Sequence, residues 1–320
     1  MDRRTFLNIA LATPALVGLS GTAAMAEWAP RRPVNLIVPF GAGGGTDSFA
    51  RALASGANTA LSVPIVVVNR PGSSGITGAI EAAGARPDGS TFMMTSGGSF
   101  LLSTMLRDTE VNPFDSFELV AQIGNLSTSL MVAMDSPYQT IDDLAADARA
   151  RPGELRWNHT GRGSFHHVAG QGFMNAAGLE GVDVPYDGGG ATRAAVIGGQ
   201  VDFGMIGIQQ SAGFENELRV LAVVSDSRDA IATEVPTFAE QGYDVPLISS
   251  PITVFAPLGM DPEIREGMEA ALETITSQAD FATAMAELGN TPAYLDGAAA
   301  RLRLERMRDA AAPIIAAMSQ

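Results

Sequence analysis

The segment VNLIVPFGAGGGTD at residues 34–47 constrains the fold more than any other part of the chain. A β-branched apolar run enters a glycine cluster and leaves it through Thr46 and Asp47, residue types whose side chains cap helices. Glycine lets the backbone turn through positive φ and approach a ligand closely. The helix that follows presents unpaired N–H groups and the positive end of its dipole. Such a strand-to-helix turn is an expected seat for a carboxylate or phosphate, with Gly41, Ala42, Gly43, Gly44, Gly45, Thr46 and Asp47 around it. Asp47 suits two roles, a helix cap or a contact to a ligand ammonium, because its carboxylate would repel an anion.

The same rhythm continues downstream. Apolar runs at 34–38, 65–68 and 91–95 alternate with alanine-rich helical stretches at 48–61 and 78–85, the pattern of βαβ units. Parallel sheets bind ligands beyond the carboxyl ends of their strands, so the loops 41–47, 69–75 and 96–99 are expected on one rim. A second series begins near residue 126, with glycine-rich loops at 160–164 and 187–190, and the chain crosses back through 252–255 into long helices at 262–288 and 298–318. The predicted fold is α/β and two-lobed, of the periplasmic binding protein kind, with lobe I from 27–125 and 251–320, lobe II from 126–250, and two hinge crossovers.

Residues 1–26 read as an export signal, with Arg3 and Arg4 before a short apolar run and Ala24, Met25 and Ala26 before Glu27. The arginine pair in RRTFLN also fits twin-arginine export. A periplasmic protein, soluble after cleavage near Ala26, is the expectation. The chain has no cysteine, which removes disulfides, thiolate metal sites and a cysteine nucleophile together. Its net charge of −15, with every basic residue an arginine, argues against a nucleic-acid partner and leaves anion capture to local donors.

Three chemistries fare poorly against the spacing. A phosphate-binding P-loop needs Gly-Lys-Ser/Thr, and the chain has no lysine; a dinucleotide fingerprint needs glycine where Thr46 stands and an acid where Asn69 stands. No cofactor is expected. All three histidines fall in 159–167, but adjacent His166 and His167 point roughly 100° apart on a helix and no HExxH pattern exists, so no metal is expected. No GxSxG elbow is present, and no catalytic residue is expected, although a Ser-His-acid arrangement set by geometry stays open. Arg162, flanked by glycines, offers a planar fork suited to a carboxylate, and Ser164 suits the N-cap of the next helix.

The landmarks VPF-AGGGTD at 38–47, NRPG at 69–72, PDG at 87–89, ARPG at 150–153, VPY at 184–186 and GGQVD at 198–202 occur in one order along the chain. Together they resemble the Bug, or TctC-like, receptors of tripartite tricarboxylate transporters. The resemblance implies a hinge-closing binding protein without catalysis that takes a small carboxylate to membrane subunits of such a transporter; a monomer is the simplest expectation for a hinge that must move freely. A receptor that presents its ligand to a sensor kinase, or a periplasmic hydrolase, is the alternative. It further implies that the loop from Phe40 to Asp47 receives a carboxylate, and that Ser96 and Gly97 in lobe I and Thr160, Ser164, His167 and Gly188 in lobe II face the cleft. Arg162 is a departure from the smaller residues usual there. Met205, Ile206 and Gly207 replace an expected aromatic and polar pair, and Pro251, Ile252 and Thr253 replace an aromatic wall. These changes favour a dicarboxylate or aliphatic monocarboxylate over an amino acid.

Overall fold

The computed structural model describes residues 28–225, 227–229 and 232–318, so the export signal expected at 1–26 lies outside the described residues. In chain order the elements begin with β1 (Val34–Val38), α1 (Gly45–Gly56), β2 (Ile65–Asn69), α2 (Ile76–Ala83), β3 (Thr91–Ser96), α3 (Gly97–Leu106) and β4 (Phe117–Leu126). A second unit follows with β5 (Thr128–Ala133), α4 (Ile141–Ala150), β6 (Arg156–His159), α5 (Phe165–Ala177), β7 (Val182–Pro185), α6 (Gly189–Ile197), β8 (Phe203–Gly207) and β9 (Leu218–Val224). The chain returns through β10 (Ser250–Pro257), α7 (Pro262–Thr276), α8 (Ala279–Glu287), β11 (Thr291–Asp296) and α9 (Gly297–Met318).

The strands form a six-stranded sheet ordered β11-β4-β10-β3-β1-β2 and a five-stranded sheet ordered β7-β6-β8-β5-β9, giving two α/β lobes. Strand β1 lies between β2 and β3 in parallel, and its Val34, Leu36, Ile37 and Val38 are all buried, as a central parallel strand requires. Neither sheet is wholly parallel. In the first, β10 runs antiparallel to β3 and β4, and β11 antiparallel to β4; in the second, β5 runs antiparallel to β8 and β9. The parallel trios β2-β1-β3 and β7-β6-β8 remain, and their carboxyl ends face the gap between lobes.

Each lobe has its own core. Phe49, Leu53, Phe92 and Val254 anchor the first, while Trp157, Phe173 and Phe203 anchor the second. Phe165 and Val168 are exceptions: they start α5 in the second lobe yet pack into the first lobe's core, so the lobes share apolar contact beside the cleft.

The helix expected over 262–288 is two helices. Thr274, Thr276 and Ser277 turn their hydroxyls back onto the carbonyls of Ala270, Leu272 and Thr274, a habit that weakens a helix end. The 291–296 strand was absent from the sequence reading. Its Pro292 is tolerated because β11 is an edge strand, with a register shift between Pro292 and Leu295.

Candidate functional site

Helix α1 begins at Gly45 with Gly44 at its N-cap and no side chain capping it. The glycines there are required by what presses on them. A Cβ on Gly45 would stand 2.3 Å from the Gln209 amide nitrogen, and one on Gly41 would stand 2.7 Å from the Asp187 carbonyl oxygen. Across the gap, Gly188 caps α6 at φ +111° and lies against Gly41. Main chain therefore meets main chain between the lobes, and the Gly41 N–H donates to the Asp187 carbonyl at 3.3 Å.

Four helices aim their N-termini at the space so formed. Helix α1 contributes Gly44, Gly45 and Thr46, and α3 contributes its cap Ser96 and Ser99. From the other lobe α5 contributes Phe165 and His166, and α6 contributes Gly188 and Gly189. Phe40 and Leu126 supply apolar wall, Thr160 a hydroxyl, and Gln209 and Gln210 primary amides. No Asp, Glu or Arg lines this cavity among the described residues. Its volume is about 30 Å³, room for a water or two, so the lobes are closed on one another and must part to admit a metabolite.

Several expected residues are elsewhere. Ala42, Gly43 and Asp47 border an outer groove between α1 and α8. Asp47 is buried but turned from the cleft, accepting from the Gly43 N–H at 2.9 Å, Arg51 Nε at 2.8 Å and Asn69 Nδ2 at 3.0 Å. Burial raises its pKa, but these donors, Arg51 foremost, hold the carboxyl below its ordinary value. Gly97 packs against Thr253 and Pro251 of β10 in place of the cavity. Ser164 caps α5 by accepting the His167 N–H at 3.1 Å, and so shapes the cleft without lining it.

Arg162 and His167 also lie outside the lining of this cavity. The Arg162 side chain is 58% exposed and bonds Asp183 Oδ1 at 3.0 Å, on the outer surface of the second lobe. Its carbonyl accepts from Ser74 Oγ at 2.7 Å and from Arg107, and the residue also borders a second hollow between the lobes with Ser73, Arg107, Tyr186 and Asp187. His167 borders the outer hollow beside Asp183. Its neighbour His166 is the one at the cavity, with Nδ1 at 2.9 Å from Thr128 Oγ1. Burial, followed by the nearby His159, pushes the His166 pKa down to about 3, so the ring is neutral at ordinary pH.

His159, His167 and Asp183 come together closely enough that one ligand atom of each lies within 4.8 Å of the others. Adjacency of His166 and His167 had hidden this trio, since His159 and Asp183 arrive on separate strands. The donor set does not suit a cation. The Nδ1 atoms of His159 and His167 accept N–H bonds from Gly161 at 3.2 Å and Gly163 at 3.1 Å, which puts each ring proton on Nε2. A metal at Nε2 would drive those protons onto nitrogens already facing donors. Instead the His159 Nε2–H donates to Asp183 at 3.1 Å. His159, with Arg162 adding to it, keeps Asp183 below its ordinary pKa.

Gln209 and Gln210 were not among the expected site residues, and neither were Leu126, Phe165, His166 and Gly207, whereas Ser99 and Gly189 fall in the loops 96–99 and 187–190. The amides restore, just past the end of β8, a polar pair that Met205, Ile206 and Gly207 lack. Paired glutamines after a glycine-terminated strand were the available signal.

Comparison with known proteins gives one consistent picture. The model of the family described as tripartite tricarboxylate transporter family receptor matches residues 49–318. BugT of Bordetella pertussis is 30% identical over 280 residues, covering 83% of this chain and 83% of that protein. The structure of the periplasmic binding protein BugD superposes with a TM-score of 0.84 at 25% identity, covering 89% of this chain and 97% of that one. An R. palustris protein solved with adipate gives 0.82 at 27% identity, covering 91% and 98%.

Proposed function

The chain belongs to the tripartite tricarboxylate transporter receptor family, and we propose that it captures a small dicarboxylate between its lobes in the periplasm and delivers it to membrane subunits of such a transporter. The observation that carries the ligand class is the convergence of four helix N-termini, two from each lobe, on a cavity lined by no charged side chain. Each helix end favours an anion by up to about 2 kcal/mol when partly buried. Helices α1 and α3 serve one end of a ligand and α5 and α6 the other, so two negative charges are matched and an ammonium is opposed. Asp47, the acid best placed in sequence to hold an ammonium, is committed to Arg51 and Asn69. That a 27%-identical neighbour was solved with adipate, a linear diacid, agrees with this reading.

The cleft works by closure. A diacid seats on the open first lobe, and the second lobe brings α5 and α6 onto its far end, so binding energy stabilises the closed form over the open one. Turnover is not part of the reading: Ser96 Oγ is engaged with Ser250, Ser99 Oγ accepts the Phe165 N–H, and neither meets an imidazole. Calorimetry against succinate, malate, adipate, aspartate and glutamate tests the proposal, with NMR of the released ligand. Diacids should bind at micromolar or tighter Kd and come back unchanged. An amino acid binding better than every simple diacid would overturn it.

A further inference from the structure

The second lobe offers two polar side chains to the cavity whose orientation is fixed from behind. His166 is 4% exposed and Gln210 2% exposed, and each has one polar atom held by a residue that does not line the cavity. We propose that Thr128 and Arg193 lock His166 and Gln210 as hydrogen-bond donors, so that the second lobe accepts an ionised carboxylate and rejects the corresponding amide. The proposal rests on the dicarboxylate reading above and adds the groups that discriminate within it.

Thr128 opens β5 where the chain enters the second lobe, and its side chain is fully buried. Among the described residues its hydroxyl has one hydrogen-bond partner, His166 Nδ1 at 2.9 Å, and only by donating to that nitrogen does the buried O–H avoid being left unpaired. A buried hydroxyl that donates to Nδ1 forces the ring proton onto Nε2, the nitrogen left for the cavity. Arg193 does the same for Gln210. Its Nη1 lies 3.2 Å from Gln210 Oε1, and an arginine can only donate, so the amide oxygen faces Arg193 and the NH₂ faces away. The guanidinium is itself steadied over the Phe214 ring, 3.9 Å from the centroid.

With both orientations set, the far end of the cleft presents N–H groups: His166 Nε2, Gln210 Nε2, the His166 main-chain amide, which is the one first-turn amide of α5 not already donating to Ser99 or Ser164, and the first-turn amides of α6. A carboxylate satisfies these with its acceptor oxygens. A primary amide would bring its own N–H groups against donors and leave pairs unmade. The imidazole acts in its neutral form. The titratable group acting on it is His159 on β6, and the first-lobe residues facing it across the cavity, Gly45, Thr46, Ser96 and Ser99, carry no charge.

The test uses the mature protein, calorimetry with succinate, adipate and their monoamides, and long-range ¹⁵N–¹H spectra of the histidine rings. The wild type should bind a diacid at least 30-fold tighter than its monoamide, with Kd constant from pH 6 to 8 and a His166 signal of the Nε2–H form. His166→Ala should weaken diacid binding 10-fold or more and His166→Gln less than 3-fold. Thr128→Val should populate the other tautomer and weaken binding 3- to 10-fold at an unchanged melting temperature. Arg193→Leu should narrow the diacid-to-amide ratio. Equal affinity of wild type and His166→Ala for the diacid overturns the inference while leaving the dicarboxylate reading intact. Tightening from pH 8 to 6 with proton uptake that His166→Gln abolishes overturns it too, since the ring would then act as a cation. Failure of the wild type to bind either diacid removes both readings at once.

Discussion

Asp47 shows how one side chain can be chemically plain and functionally ambiguous until its neighbours are known. Its place after four glycines allowed a ligand contact or a structural role, and Asn69, 22 residues on, together with Arg51 one turn later, decides for structure. Because its folded pKa lies below the ordinary 3.8, the carboxylate contributes stability that is fully present above the unfolded pKa and is lost as pH falls through the folded value. Asp47→Asn should therefore cost about 2 kcal/mol at pH 7, the worth of hydrogen bonds to a buried charge. Urea unfolding at pH 7 and again near pH 3 should show that difference shrinking as the wild type protonates; an equal gap at both would mean the charge contributes nothing. The same logic governs the histidines. That His166 and His167 point apart was legible, but which one meets the cavity was not, because the rotation of α5 is set by Phe165 and Val168 seating in the other lobe's core. The ion pair of Arg162 was illegible for a similar reason: its partner Asp183 lies on β7, and nothing near Arg162 in sequence announces it.

At the scale of elements, what local backbone chemistry dictates could be read and what distant pairing dictates could not. The strand, the glycine turn and the start of α1 follow from residues within a dozen positions of one another. The mixed sheets do not, since β10 inserts between β3 and β4 after more than a hundred intervening residues. Helix caps belong to the legible class and allow a clean comparison. Thr140 caps α4 with a capping box closed by Asp143, and Ser164 caps α5, both through an N3 amide. Either residue changed to Ala should cost about 1 kcal/mol of stability. Helix α5 opens onto the cavity and α4 does not, so Ser164→Ala should also weaken diacid binding several-fold while Thr140→Ala leaves it untouched. Thermal melts and calorimetry on the two variants together separate a loss of cap from a loss of site, and equal binding losses would refute the assignment of α5.

For the whole molecule, the closed form is held across the gap by few polar contacts. Ser74 Oγ and Arg107 both donate to the Arg162 carbonyl, the Phe165 N–H donates to Ser99 Oγ at 3.2 Å, and the Gly41 N–H donates to Asp187. At about 1 kcal/mol net apiece, such bonds bias the lobes toward closure without fixing them there, which suits a receptor that must release its cargo. One of these contacts comes from a strained loop. Ser73 and Ser74 have φ of 50° and 56°, a left-handed conformation unusual for residues with a Cβ, between Gly72 and Gly75. Holding a non-glycine residue there costs about 1 kcal/mol or more, and it places the Ser74 hydroxyl against the other lobe. Ser74→Gly separates the two effects: the backbone strain is relieved while the interlobe bond is lost. The first lobe should melt no lower than in the wild type, yet diacid affinity should fall about 5-fold through faster dissociation, the share of one hydrogen bond in the closed state. Stopped-flow release of a bound diacid beside a thermal melt reads both quantities. Lower melting with unchanged release would place Ser74 in the fold of its own lobe and remove it from the closure of the pair.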